Sequence, residues 1–166
     1  MQTGTSQENL NLKKEGLILM ELCIRRFDEL TLAELYEILA ARVSVFVVEQ
    51  NCPYQELDGL DEQSIHLYFR DETGILAYLR VIDPRDGSTD AVIGRVLSKK
   101  RRCGLADRLV AEGIRVASEE LHARRIRLGA QVYARKLYEK HGFCACSEEY
   151  LEDGIRHVEM EYFPGE

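Results

Sequence analysis

The chain has 166 residues, of which 45% are hydrophobic and 31% are charged, and its formal net charge at pH 7 is −7. This length and composition predict a globular chain that can bury its own core, and they exclude a disordered protein. The acidic balance disfavours general nucleic-acid binding, no apolar run approaches the roughly 20 residues of a membrane span, and five cysteines without paired Cys/His spacing favour reduced thiols over a zinc site.

The N-terminal part of the chain contains one strand and one helix by pattern. Residues 1–16 are polar and aperiodic, which predicts a flexible leader ahead of a single domain over residues 17–166. Residues 17–27 alternate loosely and indicate a first strand. Thr31 and Glu34 form a capping box, after which apolar residues recur at helical spacing to about Val47. Residues 51–61, with Pro53 and a Gly, are predicted to form a loop.

The remainder alternates strand and helix signals and ends in a hairpin. A helix is predicted over residues 104–121, and a short helix over residues 134–141 is closed by Gly142. This order predicts an α/β (α+β) domain with a mixed sheet. The predicted strands are residues 65–70, 74–82, 91–98, 125–131, 143–150 and 155–162.

The segment with the most informative chemistry joins the strand over residues 91–98 to the long helix. Four consecutive cations, residues 99–102, precede Cys103, Gly104, Leu105 and Ala106. The first turn of a helix has unpaired N–H groups and favours an anion, and small residues there let a diphosphate approach the backbone. A solvated basic turn is the alternative interpretation of the same segment.

The segment Arg101-Arg102-Cys103-Gly104-Leu105-Ala106 resembles the R/Q-x-x-G-x-G/A signature of the GNAT acyltransferases, although many members carry Gly where this chain has Arg102. A late helix ending Leu-Tyr-Glu-Lys-His-Gly-Phe, residues 137–143, is similar to a second feature of that family. Residues 45–54, 93–96, 129–131 and 150–155 resemble the ElaA-like branch in particular. The resemblance covers about residues 22–160.

The resemblance implies a GNAT-like, mostly antiparallel sheet of about seven strands flanked by helices. It also implies an N-acetyltransferase, in which an amine of a small molecule or peptide attacks acetyl-CoA directly in a ternary complex. A backbone N–H of Val96 or Leu97 is expected to meet the thioester carbonyl, Tyr138 to act as general acid, and Gln131 to bond the pantetheine amides. The residues expected around the diphosphate are Arg101, Arg102, Cys103, Gly104, Leu105 and Ala106.

The general base is less specified by the sequence. Glu49, at the end of the first helix, is the first candidate, and His66, Asp58 and Glu152 are alternatives, with His66 fitting a satisfied structural histidine better than a base. Two acidic clusters, within residues 49–62 and 148–153, would attract a cationic amine if both flank the acceptor cleft; solubility alone also explains them.

Two other functions fit parts of the sequence. A coenzyme-A-binding sensor or interaction module without turnover would have the same loop and fold. A nucleic-acid-binding protein using residues 99–102 and 124–127 is disfavoured by the net charge. We expect a cytoplasmic protein that needs no metal and binds neither membrane nor nucleic acid, and the sequence leaves open whether it forms a homodimer.

Overall fold

The computed structural model describes residues 19–165, so the predicted leader, residues 1–16, lies outside the described residues. One eight-stranded sheet organises them, with strand order β1-β2-β3-β4-β5-β8-β6 and with β7 also paired to β8. The strands are β1 Glu21–Arg26, β2 Ser64–Asp71, β3 Gly74–Ile82, β4 Asp90–Ser98, β5 Arg125–Gln131, β6 Cys144–Ala145, β7 Tyr150–Glu152 and β8 Ile155–Tyr162. The helices are α1 Leu32–Arg42, α2 Leu105–Glu119 and α3 Arg135–Glu139.

All strand pairs in this sheet are antiparallel except β4 with β5, which confirms the predicted mixed, mostly antiparallel sheet. The sheet has eight strands because the predicted strand over residues 143–150 is divided into β6 and β7. The β4–β5 pairing covers only three residue pairs, from Asp90–Arg125 to Val92–Arg127. Both strands then continue, so they diverge beyond that point.

Helices cover both faces of the sheet. On one face α2 packs Leu109 and Val116 against residues of the central strands, with Gly113 between them. A Cβ on Gly113 would stand 3.3 Å from the side chains of Leu79 and Ile93, so the helix lies close to the sheet. On the other face α1 buries Ile38 and Ala41 in a smaller core.

The first helix ends differently from the sequence prediction. Its predicted capping box is present, with the Glu34 N–H donating to Thr31 Oγ1 at 3.2 Å. The α-helix ends at Arg42, however, and Val43–Glu49 continues as a π-helix. This stretch is rich in valine, whose β-branched side chain is crowded in an α-helix. Gln50 is the C-cap residue of the π-helix and lies beside Gln131 at the end of β5.

All five cysteines are free thiols, as predicted for this chain. Among the helices of residues 19–165, none combines the length and apolar character of a bilayer span.

We predict that Leu109→Ala lowers the free energy of unfolding by about 2–5 kcal/mol, because Leu109 is fully buried between α2 and the sheet. Urea denaturation followed by circular dichroism measures this loss. The control is Leu32→Ala on α1, whose side chain is 87% exposed, so its variant should unfold almost as the wild type does. Equal losses in the two variants would contradict the assigned core.

Candidate active site

The site begins where β4 leaves β5. A β-bulge interrupts the pairing of β3 with β4: Arg80 faces Gly94 and Tyr78 faces Leu97, so two residues of β4 oppose one of β3. Arg95 lies in this bulge with φ of 55°, which is rare for a residue other than glycine. The bulge bends β4 and lets it separate from β5. Beyond Val92, β4 is therefore splayed away from β5.

A cavity of about 500 Å³ opens between the two separated strands. Gly94 on β4 and Gly129 on β5 both line it, so neither strand places a side chain across the gap at these points. Polar and titratable groups converge on the cavity from β3, β4, the β7–β8 hairpin and the loop after the π-helix. Its polar lining includes Gln50, Tyr54, Asp58, Arg80, Arg95, Gln131, Tyr133, Tyr138, Tyr150, Glu152, Asp153, His157 and Glu159.

The basic loop leads from the end of β4 to the start of α2. Gly104 is the N-cap residue, with φ of 76° and with open space where a Cβ would stand. No side chain caps the helix there, so its first N–H groups keep their capacity to bind an anion. Of the four cations in residues 99–102, Arg101 pairs with Glu49, and the other three have no carboxylate partner among residues 19–165.

The remaining predicted loop residues take different positions. The side chain of Leu105 is buried in the core, so it offers only its backbone to a ligand. Ala106 is partly exposed in the first turn of α2. Arg102 has φ of 57°, so the departure from Gly at this position is accommodated in a left-handed conformation. The exposed Cys103 thiol donates to the carbonyl of Lys100 at 2.8 Å.

Three arginines and three carboxylates form a partly buried network beside the cavity, which we call the arginine network. Arg42 of α1 donates to Glu56 at 2.8 Å and to Asp61 at 2.5 Å. Arg80 of β3 donates to Asp61 at 2.8 Å and also pairs with Asp58. Arg95 of β4 donates to Glu56 at 2.7 Å. The network therefore ties one helix and two strands to the loop over residues 56–61.

This network corrects two interpretations of the sequence. Asp58 pairs with Arg80 and Arg95, and although its burial opposes ionisation, these bonds lower its pKa to about 2. A carboxylate held in this way is not available as a general base. Glu56, Asp58 and Asp61 are matched one for one by Arg42, Arg80 and Arg95, and Glu49 pairs with Arg101. The acidic cluster over residues 49–62 is therefore largely neutralised, and only its exposed Glu62 has no ion-pair partner among residues 19–165.

The residues predicted for the transfer chemistry fall in and beside the cavity. Tyr138 on α3 and Val96 on β4 both line it. Burial raises the pKa of Tyr138, so its hydroxyl stays protonated as a general acid requires. Its ring also meets Phe143 edge-on at 6.1 Å. The Leu97 side chain turns away into the α1 core, leaving only its backbone for the predicted contact.

Gln131 has an unexpected partner. Its side-chain amide and that of Gln50 donate to each other at 3.1 and 3.2 Å, which links the end of β5 to the end of the π-helix. Its predicted bond to pantetheine remains a prediction, and it would require this amide pair to rearrange.

Two of the predicted bases lie away from the cavity lining. Glu49 does not line the cavity and instead pairs with Arg101 of the basic loop. His66 is fully buried in the arginine network: Nδ1 faces the Tyr78 hydroxyl at 2.8 Å, and Nε2 faces the carbonyl of Asp61 at 3.0 Å. Burial lowers the pKa of His66. It is thus the satisfied structural histidine that the sequence favoured.

The structure adds a group of residues that the sequence analysis missed. Tyr150, His157 and Glu159 join the predicted candidate Glu152 on one wall of the cavity, formed by β7 and β8. His157 and Glu159 are two apart on β8, which places both side chains on the same face of the sheet. The polar residues at alternate positions of the terminal strand were a signal that could have found them. We call Tyr150, Glu152, Asp153, His157 and Glu159 the acidic wall.

Gly129 explains part of this arrangement. It pairs with Glu159 across β5 and β8. A Cβ on Gly129 would stand 3.2 Å from the Tyr150 hydroxyl and 3.3 Å from Glu159 Oε1. Tyr150 donates to Glu159 over this glycine. Burial, followed by this bond, raises the pKa of Tyr150.

The acetyltransferase (GNAT) domain family matches residues 32–163 of the chain. The chain belongs to the GNAT family. It is 35% identical to protein ElaA of Escherichia coli over 137 residues, which is 80% of this chain and 90% of that protein. It is 38% identical to a UPF0039 protein of Schizosaccharomyces pombe over 145 residues, covering 85% of this chain and 95% of that one.

Solved structures agree with this GNAT assignment. The crystal structure of Escherichia coli ElaA covers 86% of this chain and 98% of its own, with a TM-score of 0.80 and 32% identity. An acyl-CoA N-acyltransferase from Pseudomonas aeruginosa superposes with the same coverage and TM-score at 40% identity. The chain is thus an ElaA-like acyltransferase of the GNAT family, and the family uses acyl-CoA as its cosubstrate.

We predict that Asp58 stabilises the fold in a pH-dependent way. Its folded-state pKa of about 2 lies below the unfolded value of 3.8, so its contribution is complete above about pH 4 and is lost as the pH falls through about 2. Because Asp58 is partly exposed and solvent screens its ion pairs, Asp58→Asn should cost about 1 kcal/mol at pH 7, less than the pKa difference alone would give. Urea denaturation at a series of pH values measures the difference from wild type, which should shrink below about pH 4.

The control for this series is Asp28→Asn, at an exposed carboxylate that has no ion-pair partner in the described part of the chain. Its difference from wild type should stay near zero at every pH. A pH-independent difference for Asp58→Asn would contradict the role assigned to its charge.

Proposed function

We propose that this GNAT protein is an N-acetyltransferase that moves the acetyl group of acetyl-CoA to a cationic amine of a small molecule or peptide. The observation that supports this most strongly is the cavity between β4 and β5. On one side of this cavity, β4 leads through the basic loop to the uncapped start of α2. The acidic wall lies on the other side. These are the two features that a diphosphate-bearing donor and an ammonium-bearing acceptor need.

The residues of the basic loop fit coenzyme A. The open space at Gly104, the free N–H groups of the first turn of α2 and the cations of residues 99, 100 and 102 together suit a diphosphate. Arg101 would contribute to the same site if its exposed pair with Glu49 opens, which costs little in water. The gap between β4 and β5 then offers a path for the pantetheine arm.

Acetyl-CoA supplies the activated acetyl group, as a thioester, when bound. Along β4 beyond Val92, the backbone on the side facing β5 has no strand partner in residues 19–165. Leu97 lies opposite Tyr78 of β3 and two residues before Lys99, whose N–H donates to Leu76 of β3, so the Leu97 N–H also points to β3 and that of Val96 to the β5 side. The free N–H of Val96 would therefore polarise the thioester carbonyl, as a fixed donor of the oxyanion-hole type. Tyr138, protonated and lining the same cavity, would give its proton to the departing sulfur.

The charge of the cavity supports a cationic acceptor. Asp58 is neutralised by Arg80 and Arg95, whereas Glu152, Asp153 and Glu159 have no lysine or arginine partner among the described residues. Three carboxylates on one wall attract an ammonium group and disfavour an anion. Attraction of a cationic amine therefore fits the second acidic cluster of the sequence, extended to Glu159, and does not fit the first cluster over residues 49–62.

We predict that acetyl-CoA at about 100 times its dissociation constant stabilises the protein by about 2.7 kcal/mol, which raises the melting temperature by about 5–10 °C.

Ala106→Glu should weaken the binding of acetyl-CoA at least about tenfold, because a carboxylate in the first turn of α2 repels the diphosphate. The same carboxylate interacts favourably with the helix dipole, so the variant should still fold. Ala106→Gln controls for size and should bind more tightly than Ala106→Glu. Thermal melts with acetyl-CoA, and calorimetry, measure both effects.

Thiol release from acetyl-CoA with a panel of cationic and neutral amines tests turnover. We expect cationic alkylamines to be preferred. Binding of acetyl-CoA without thiol release over the whole panel would instead favour the coenzyme-A-binding sensor, and absence of any stabilisation by acetyl-CoA would overturn both functions.

We predict that Tyr138→Phe lowers kcat about 100-fold while leaving acetyl-CoA affinity nearly unchanged, because the hydroxyl acts only as charge develops on sulfur. The ring and its contact with Phe143 remain, so the melting temperature should also hold. Steady-state kinetics and calorimetry are the measurements. Tyr36→Phe, at an exposed tyrosine on α1, is the matched control. Full kcat in Tyr138→Phe, with chemistry rate-limiting, would assign Tyr138 to packing alone.

A further inference from the structure

His157 is the only histidine of the described chain that lines the cavity. It lies on the acidic wall, and only 9% of its surface is exposed. In the sheet, His157 of β8 lies opposite Gln131 of β5 and opposite Tyr150 of β7, so the strands on both sides fix its position. Its ring stacks on that of Tyr150 with centroids 5.9 Å apart and planes 23° apart.

The hydrogen bond of one ring nitrogen sets the chemistry of the other. Nδ1 of His157 lies 2.8 Å from the carbonyl oxygen of Ile155. A carbonyl can only accept, so Nδ1 carries the proton of the neutral ring and donates it. Nε2 is then the atom with the free lone pair. A neutral imidazole held in one tautomer by a backbone carbonyl is prepared to accept a proton at Nε2.

The groups around Nε2 of His157 suit the acceptance of a proton from a cationic amine. The nearest carboxylate oxygen, Glu152 Oε2, lies 3.8 Å away, which is too far for a hydrogen bond but close enough to stabilise an imidazolium. No hydrogen bond from residues 19–165 occupies Nε2. The other charged or titratable groups facing this region are Tyr150 from β7, Asp153 from the turn and Glu159 from β8.

We infer that His157 is the general base of the acetyl transfer, taking a proton from the acceptor ammonium that Glu152 and Glu159 hold beside it. This inference rests on the proposed function. The ammonium gives one proton to Nε2 of His157, and the neutral amine nitrogen forms a bond to the acetyl carbon. The N–H₂⁺ of the resulting tetrahedral adduct loses its second proton to water, the carbon–sulfur bond breaks, and the sulfur receives the proton of Tyr138. Water then returns a proton to the Tyr138 phenolate and takes the proton from Nε2 of His157, so one ammonium and one acetyl-CoA give one amide, one thiol and one proton.

Kinetics with paired acceptors test this role directly. The probes are alkylamines acetylated by the wild type, beginning with 2-phenylethylamine, each paired with its 2,2-difluoro analogue. At about pH 8.5 the parent amine is a cation and the fluorinated amine is neutral. His157→Asn should lower kcat for the parent by about 10²–10⁴-fold, and much less for the neutral analogue, which needs no base before attack.

The loss of kcat in His157→Asn with the parent amine should also shrink as the pH rises, because a growing fraction of that amine is then neutral in solution. Glu152→Gln, at a largely exposed side chain that should fold normally, is expected to raise KM for the cationic amine and spare the neutral one. His122→Asn, at an exposed histidine outside the cavity, is the control and should leave every parameter unchanged. Acetyl-CoA stabilisation should be the same in all variants.

A readout independent of turnover is the histidine tautomer. Nitrogen-15 NMR of histidine-labelled protein, with His157 assigned by its loss in His157→Asn, should give the Nδ1-protonated neutral form. An Nε2-protonated neutral form, or equal losses of kcat for the two amines of a pair, would overturn the inference while leaving acetyl transfer intact. If the wild type releases no thiol with any amine, the proposed function fails and this inference falls with it.

Discussion

The arginine network is the interaction on which the geometry of the site depends. Arg42, Arg80 and Arg95 come from a helix and two strands, and they meet three carboxylates within residues 56–61. Four of the six groups, Arg42, Glu56, Asp61 and Arg80, are buried, and Arg95 and Asp58 complete their pairing at the more exposed side of the network. Burying charges is costly unless every charge is paired, and here the pairing is one for one. Removing one partner would leave a buried charge without compensation, so the network holds its members in a single arrangement. It fixes the loop over residues 56–61 against the bulge of β4.

The bulge and the network support each other. The positive φ of Arg95 is a strained conformation, and such strain persists only where the surrounding structure holds it. The bonds of Arg95 to Glu56 and its stacking over the ring of Tyr54 at 5.6 Å supply that hold. With Arg95 directed into the network, β4 bends away from β5. The same interaction therefore helps to open the cavity, leaves the backbone of β4 without a strand partner on the β5 side in residues 19–165, and sets the wall opposite β7 and β8.

The two sides of the cavity differ in charge for the same reason. The β3–β4 side contains arginines and carboxylates in equal number, so it is close to neutral. The β7–β8 side contains carboxylates without arginine or lysine partners in the described chain. An acceptor amine would thus be drawn to the side where His157 lies. Proton removal and substrate attraction would then occur on the same wall, with Tyr138 available for the sulfur.

Most of the fold could be predicted from the sequence alone, because it depends on local signals, and the same signals locate the basic loop that we propose for coenzyme A. Alternation and helical spacing placed the strands and helices, the Thr31 capping box set the start of α1, and the run over residues 101–106 identified the family. The side of the cavity that we propose for the acceptor could be recognised only from the long-range contacts of the folded chain. Glu49, Asp58 and His66 were plausible bases from their positions, yet their partners Arg101, Arg80 and Tyr78 are 52, 22 and 12 residues away. His157 was missed because its role comes from Ile155 O, Glu152 and the gap between β4 and β5. Which charges are neutralised and which lone pair faces a cavity depends on long-range packing, which no local pattern in the sequence records.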